Sequence, residues 1–129
     1  MNPDLALVFL AFALIEVKHF LCDFVIRQNG SERKAIYFNR TELIHAAIHA
    51  MGSVPVLLLL TRSATLIAAL ATAEFFAHHH FDWLKAWINA RKRLDYNDRL
   101  YWILFGGDQL AHQLTYVAML AVLVRGVSL

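Results

Sequence analysis

The chain has 129 residues, 59% of them hydrophobic and 17% charged, and a net charge of +2; its mean hydropathy is +0.49. Soluble domains carry roughly 45–50% apolar residues, so the composition points to a membrane, and the small positive charge excludes nucleic-acid binding through a basic surface. One cysteine, Cys22, excludes an internal disulfide and a cysteine-based zinc finger, and its position between His19 and Asp23 suits a small buried residue.

The start, Met1-Asn2-Pro3-Asp4, lacks the basic region of a cleaved signal, which predicts that the first apolar run is retained. That run, about 5–27, is uncharged as far as Glu16, and Pro3 and Asp4 suit a helix start. Asn29-Gly30-Ser31 marks a turn, and Arg33, Lys34 and Arg40 make the following loop basic. Thr41 and Glu42 are expected to cap segment two, about 41–61, which has no charged residue after Glu42 apart from its histidines. Gly52 and Pro55 predict a kink past His49.

Arg62 and Ser63 alone separate segments two and three, so the two form an antiparallel hairpin. Segment three, about 64–90, opens on alanines that permit close helix approach and turns polar from Glu74. A charged loop follows, and Asp98 is expected to cap segment four, about 99–124, where Gly106 and Gly107 precede Asp108. The expected fold is therefore all-α: an antiparallel transmembrane four-helix bundle, a single domain over residues 1–129.

Each segment carries two potential metal ligands four residues apart: His19 and Asp23, His45 and His49, His78 and Asp82, Asp108 and His112. Four residues is just over one helical turn, so each pair shares a helix face and is expected to point into the bundle. Basic residues flank the loops between segments one and two and between three and four, against only Arg62 and Arg125 on the other side. The positive-inside rule then places both basic loops in the cytoplasm and both termini outside, as in a bacterial inner membrane. At 1.5 Å per residue, Asp23 and His45 lie about 6 Å, and Asp82 and Asp108 about 12–15 Å, from the cytoplasmic ends of their helices. With helices three and four projecting past the bilayer surface, all four pairs share one layer.

An aspartate at the middle of a membrane costs about 2.5–3.5 kcal/mol on insertion scales, and three of them need compensation. A divalent metal supplies it, because its charge offsets the carboxylates and takes the imidazoles as neutral ligands. The candidate ligands are His19, Asp23, His45, His49, His78, Asp82, Asp108 and His112. These exceed the three or four protein ligands of one zinc, so either two ions are bridged or one ion is held while the remaining groups orient its ligands. Nitrogen and oxygen donors without a thiolate fit zinc best, with manganese or iron as alternatives. For any one pair, the plainer account is a hydrogen bond between helices, worth about 0.6 kcal/mol on average; four pairs in one layer favour the metal.

His79 and His80 point about 100° and 200° away from the His78 face. Lys85, one turn past Asp82, is either an interfacial lysine or the holder of an anionic substrate group. Gln28 and Gln109 are expected at solvent or in helix packing, with hydrogen bonds to ligands as the alternative. Glu16 and Glu74 are further acids or partners for Lys18, and Trp83, Trp87 and Trp102 form an interface belt.

Taken together, His19, Asp23, Phe24 and Gln28, then His45 and His49, then His78, Asp82 and Lys85, then Asp108, Gln109 and His112 form a pattern. It resembles that of the domain-of-unknown-function 3307 family of small bacterial membrane proteins. The resemblance covers nearly the whole chain and brings no activity with it. The layout is also similar to that of membrane-bound metal-dependent hydrolases with His/Asp-rich helices, an analogy of layout alone.

The expected function is metal-dependent hydrolysis of a lipid-linked ester or phosphoester, with an uncoordinated aspartate among Asp23, Asp82 and Asp108 as general base and Lys85 beside it. The segment His45-Ala46-Ala47-Ile48-His49 lacks the glutamate of H-E-x-x-H, which excludes a zincin protease mechanism. The rival readings are a metal or proton carrier, a haem-binding protein, and an accessory subunit of a larger membrane complex or homo-oligomer. Membrane lipid is the expected partner and nucleic acid is not.

Overall fold

The computed structural model describes residues 5–26 and 35–126. The turn expected at Asn29-Gly30-Ser31, the helix start at Pro3 and Asp4, and Arg27, Gln28, Arg33 and Lys34 lie outside the described residues. Four helices pack on one another: α1 (Leu5–Phe20), prolonged by a π-helical turn over Leu21–Val25, α2 (Arg40–Leu60), α3 (Ala64–Lys92) and α4 (Arg99–Gly126). The described residues form no strand, and the expected all-α four-helix architecture is present.

Local chemistry sets the helix ends. Asn39, rather than Thr41, caps α2: its extended backbone lets the short amide side chain accept from the Thr41 N–H at 2.9 Å. Ser63 caps α3 by accepting from the Leu66 N–H at 3.3 Å. Asp98, the residue expected to cap α4, turns its carboxylate back to the Asp95 N–H at 2.9 Å and closes the preceding loop. Between α2 and α3 only residues 61–63 intervene. Such a short link forces the two helices to run antiparallel side by side. α2 itself continues as one helix through Gly52 and Pro55.

α2 packs on α1 and α3, and α4 closes the bundle against α3 and α1. One half of the bundle is an apolar core in which Ile15 of α1, Leu57 of α2, Leu70 of α3 and Leu123 of α4 meet. That core joins early residues of α3 to late residues of α2 and α4, as an alternating up-and-down arrangement requires. The other half is different: its interior is built from histidine and aspartate.

The surface inverts the pattern of a water-soluble domain. Phe9, Val17, Phe20, Met51, Phe76 and Val117 face outward, while Glu74, His49, His78 and Asp82 are buried. Large apolar side chains exposed on all four helices suit contact with lipid or with other protein. By length and composition, two stretches can cross a membrane: Leu5–Val25 with mean hydropathy 2.1 and Arg40–Leu60 with 1.9. α3 and α4 fall short of that because Glu74, the three histidines 78–80, Asp82 and Lys85 interrupt one and Asp108, Gln109 and His112 the other.

Between the apolar half and the histidine half lies a buried ion pair. Lys18 of α1 reaches Glu74 of α3 at 2.6 Å and also donates to the His49 carbonyl and the Tyr116 hydroxyl, each at 3.2 Å. Gly52 makes this reach possible. A Cβ there would stand 3.1 Å from Cγ and Cδ of Lys18, so any side chain at this position requires the lysine stem to give by a few tenths of an ångström. Gly52→Val is therefore expected to displace Lys18 from Glu74 and destabilise the bundle by about 1–3 kcal/mol. Thermal unfolding in detergent measures it, and Gly52→Ala should lose less because alanine regains about 1 kcal/mol of helix propensity.

Candidate metal centre

The π-helical turn at the end of α1 presents Asp23. The Ile26 N–H reaches the Leu21 carbonyl at 2.8 Å, five residues back, so the turn holds one residue more than an α-helix would. Asp23 is buried at the bundle axis, and Cys22 beside it is buried without joining any ligand group. Of the Asp23 carboxylate, Oδ1 stands 3.0 Å from Nε2 of His45 and 3.1 Å from Nε2 of His49, and Oδ2 stands 3.3 Å from Nε2 of His19. One carboxylate thus collects three imidazoles from two helices.

Asp82 of α3 repeats the arrangement. His78 Nε2 lies 3.3 Å from it, His112 Nε2 3.5 Å and His45 Nε2 3.6 Å. The imidazole of His78 sits between those of His49 and His112, with ring centroids 3.9 and 4.1 Å apart and interplanar angles of 29° and 24°. His45 and His78 therefore link the two carboxylates into one layer.

Two groups of ligand atoms converge, each with all members within 4.8 Å of one another: Asp23, His45, His49 and His78, and then His78, Asp82 and His112. Every one of these side chains is buried. His19 and Asp108 stand outside the two groups, although both border them. The groups draw on α2, α3, α4 and the turn after α1, so the site exists only in the packed bundle.

Not every nitrogen of these rings is well paired. Nδ1 of His49 and Nδ1 of His78 are buried without a partner, and Nε2 of His78 and of His112 meet only carboxylate oxygens of Asp82 and Asp108 at 3.3–3.5 Å. In folded proteins more than about 90% of buried polar groups are paired, so ring nitrogens left alone or with only long contacts beside carboxylates leave room for a cation. Nitrogen and oxygen donors of this kind suit a divalent transition metal, and the buried His/Asp groups can hold one.

Lys85 and Asp108 form the rim on one side. The Lys85 ammonium donates to Asp82 Oδ1 at 3.2 Å and to Asp108 Oδ2, tying α3 to α4. Gln109 lies inside the site, rather than at solvent or in plain helix packing. Its amide nitrogen donates to Asp23 Oδ2 at 3.2 Å and to Asp108 Oδ2 at 3.4 Å. Its carbonyl oxygen faces His19 Nε2 at 3.0 Å, and the other nitrogen of that ring meets the Tyr116 hydroxyl at 3.0 Å.

Because lysine can only donate, these contacts have a direction. Lys18 donates to Tyr116, Tyr116 donates to Nδ1 of His19, Nε2–H of His19 donates to Gln109, and Gln109 donates to Asp23. Both nitrogens of His19 are thereby engaged. The chain of donors fixes the ring and the Asp23 carboxylate behind which it stands, as outer hydrogen bonds do at metal sites. Tyr116 carries no sequence signal for this role, since a tyrosine on an apolar helix reads as core.

His79 and His80 lie away from the centre, as their helical phase requires. His79 stacks on Phe38 with ring centroids 5.5 Å apart, and His80 meets the Tyr37 hydroxyl at 2.8 Å and the Phe76 carbonyl at 2.7 Å. Glu74, one of the two acids considered as partners for Lys18, is the one that pairs with it.

The sequence profile of the family described as protein of unknown function (DUF3307) matches residues 9–129. No curated protein and no solved structure matches the chain. The match reaches into all four helices and takes in every residue of both ligand groups, and the chain belongs to the DUF3307 family.

Proposed function

We propose that the chain is an integral membrane, metal-dependent hydrolase acting on a lipid-linked ester or phosphoester. The observation that carries this reading is the convergence of four histidines and two aspartates, buried and partly orphaned, inside a bundle whose outer face is apolar. Asp23, His45, His49, His78, Asp82 and His112 would hold one or two ions, zinc best and manganese or iron as alternatives. When bound, such an ion polarises the scissile ester or phosphoester and lowers the pKa of a water.

The other roles fall to the rim. Asp108 stands outside the ligand groups with its Oδ1 buried 3.4 Å from Nε2 of His112, and in this reading it is the aspartate that takes a proton as general base. Lys85 offers positive charge beside it for an anionic oxygen of the substrate. His19, Tyr116 and Gln109 hold Asp23 in place. A carrier of metal or protons is supported less well, because the half of the bundle beyond Lys18 and Glu74 is closed by Ile15, Leu57 and Leu123.

In this reading all four helices cross a bacterial inner membrane, and the loop between α3 and α4 faces the cytoplasm with the site near that side. Asn97→Cys in that loop should escape a membrane-impermeant thiol reagent in intact cells and react after permeabilisation; labelling in intact cells would invert the topology. Turnover is tested on purified protein stripped by chelator and reloaded with zinc, manganese or iron, using long-chain ester and phosphoester lipids. Hydrolysis should vanish with the metal and return with it. Asp108→Asn should keep the metal and lose about 10²–10⁴ in rate, whereas full activity in that variant would remove Asp108 from the chemistry.

A further inference from the structure

A cavity of about 340 Å³ opens between α3 and α4 beside the metal centre. Its walls are Phe81, Leu84 and Ile88 from one helix and Ile103, Leu104 and Ala111 from the other. Its polar lining comes from Lys85 and Asp108, the two rim residues of the site. Leu84 and Ile103 are themselves exposed, so the cavity is open to the lipid-facing side of the bundle. Gly107 lines it too, and a Cβ at that position would meet no atom within 4 Å.

The chemistry of the lining selects the occupant. A peptide or a sugar brings N–H, C=O or hydroxyl groups whose burial without partners costs several kcal/mol each, and walls of phenylalanine, leucine and isoleucine offer none. A hydrocarbon chain needs no partner. The volume is at the small end of ligand pockets, which run roughly 300–1,000 Å³, and suits a narrow apolar group rather than a whole lipid. From Phe81 to Ile88 the walls extend about 10 Å along the helix axis. Lys85 and Asp108 lie within that length, where a polar end attached to the chain would come to rest against a cation and a carboxylate.

We propose that this cavity is the acyl-chain subsite of the centre: one fatty chain of a membrane lipid enters sideways between α3 and α4, and its ester or phosphoester head lies at Lys85 and Asp108. The proposal rests on the hydrolase reading for the fate of the head, and on the cavity alone for the place of the chain. The substrate class is thereby narrowed to a lipid that reaches the site from within the bilayer, with its anionic oxygen on the Lys85 ammonium. A chain seated there brings its first polar group to the metal-bearing layer, and no part of the lipid need cross the sealed apolar half.

The two adjacent glycines provide the test. Gly107→Leu puts a side chain into the cavity without a backbone collision, whereas Gly106→Leu adds the same side chain at the neighbouring position, which does not line it. Both replacements favour helix, so folding is retained. The probe is lysophosphatidylglycerol with a diazirine in its acyl chain, added at trace level to detergent-purified protein and competed with the unlabelled lipid. Adducts mapped by peptide mass spectrometry should fall on residues 81–88 and 103–111 and be competed away. They should drop by about tenfold in Gly107→Leu and persist in Gly106→Leu.

Labelling spread evenly over the outer faces of all four helices, or unchanged in Gly107→Leu, overturns the proposal. Competed labelling in the cavity with no lipid turned over keeps the subsite and removes the hydrolase reading. With hydrolysis present, Gly107→Leu should lose long-chain substrates and retain a short-chain soluble ester; equal loss of both would show that the cavity does not hold the chain.

Discussion

The structure depends on one constraint: ionisable groups held inside a bundle must be compensated within it. Asp23 and Asp82 are each almost wholly enclosed, and each is surrounded by histidines drawn from more than one helix. Breaking up such a layer strands a charge, which is why removing one member of a buried charged set costs about 3–5 kcal/mol when nothing replaces it. The helices are thus held in register by polar chemistry in one half and by ordinary apolar packing in the other. Lys18 and Glu74 mark the seam between the two halves.

Much of this was visible in the spacing. Ligand pairs four residues apart on four apolar segments place eight side chains on inward faces, and the structure brings His19, Asp23, His45, His49, His78, Asp82, Asp108 and His112 into one layer. What spacing does not distinguish is which of them point lone pairs at a common place. His19 looks like any other member of the set until Tyr116 and Gln109 are seen to occupy both of its nitrogens. Those partners lie about 90 residues away in sequence, and a pairing across the bundle leaves no local pattern.

The remaining differences have the same character. Asn39 took the cap expected of Thr41, because either residue can cap and only the backbone entering the helix decides. The extra residue in the turn over Leu21–Val25 is equally silent in sequence, yet it belongs to the means by which Asp23 is presented at the axis. Enough apolar length to cross a membrane is legible from composition in α1 and α2 alone, because the polar residues of the His/Asp layer lower the hydropathy of α3 and α4.

Compensation by a cation is the claim on which the functional account stands. Its most direct test is the metal content of detergent-purified protein by inductively coupled plasma mass spectrometry, beside His49→Ala and His78→Ala, one at the edge of the ligand set and one shared by both groups. The account predicts stoichiometric zinc, manganese or iron in the parent, reduced in His49→Ala and lost in His78→Ala. Parent protein prepared without chelators that holds no transition metal and takes up none when it is added would contradict it, and the His/Asp layer would then be helix packing alone.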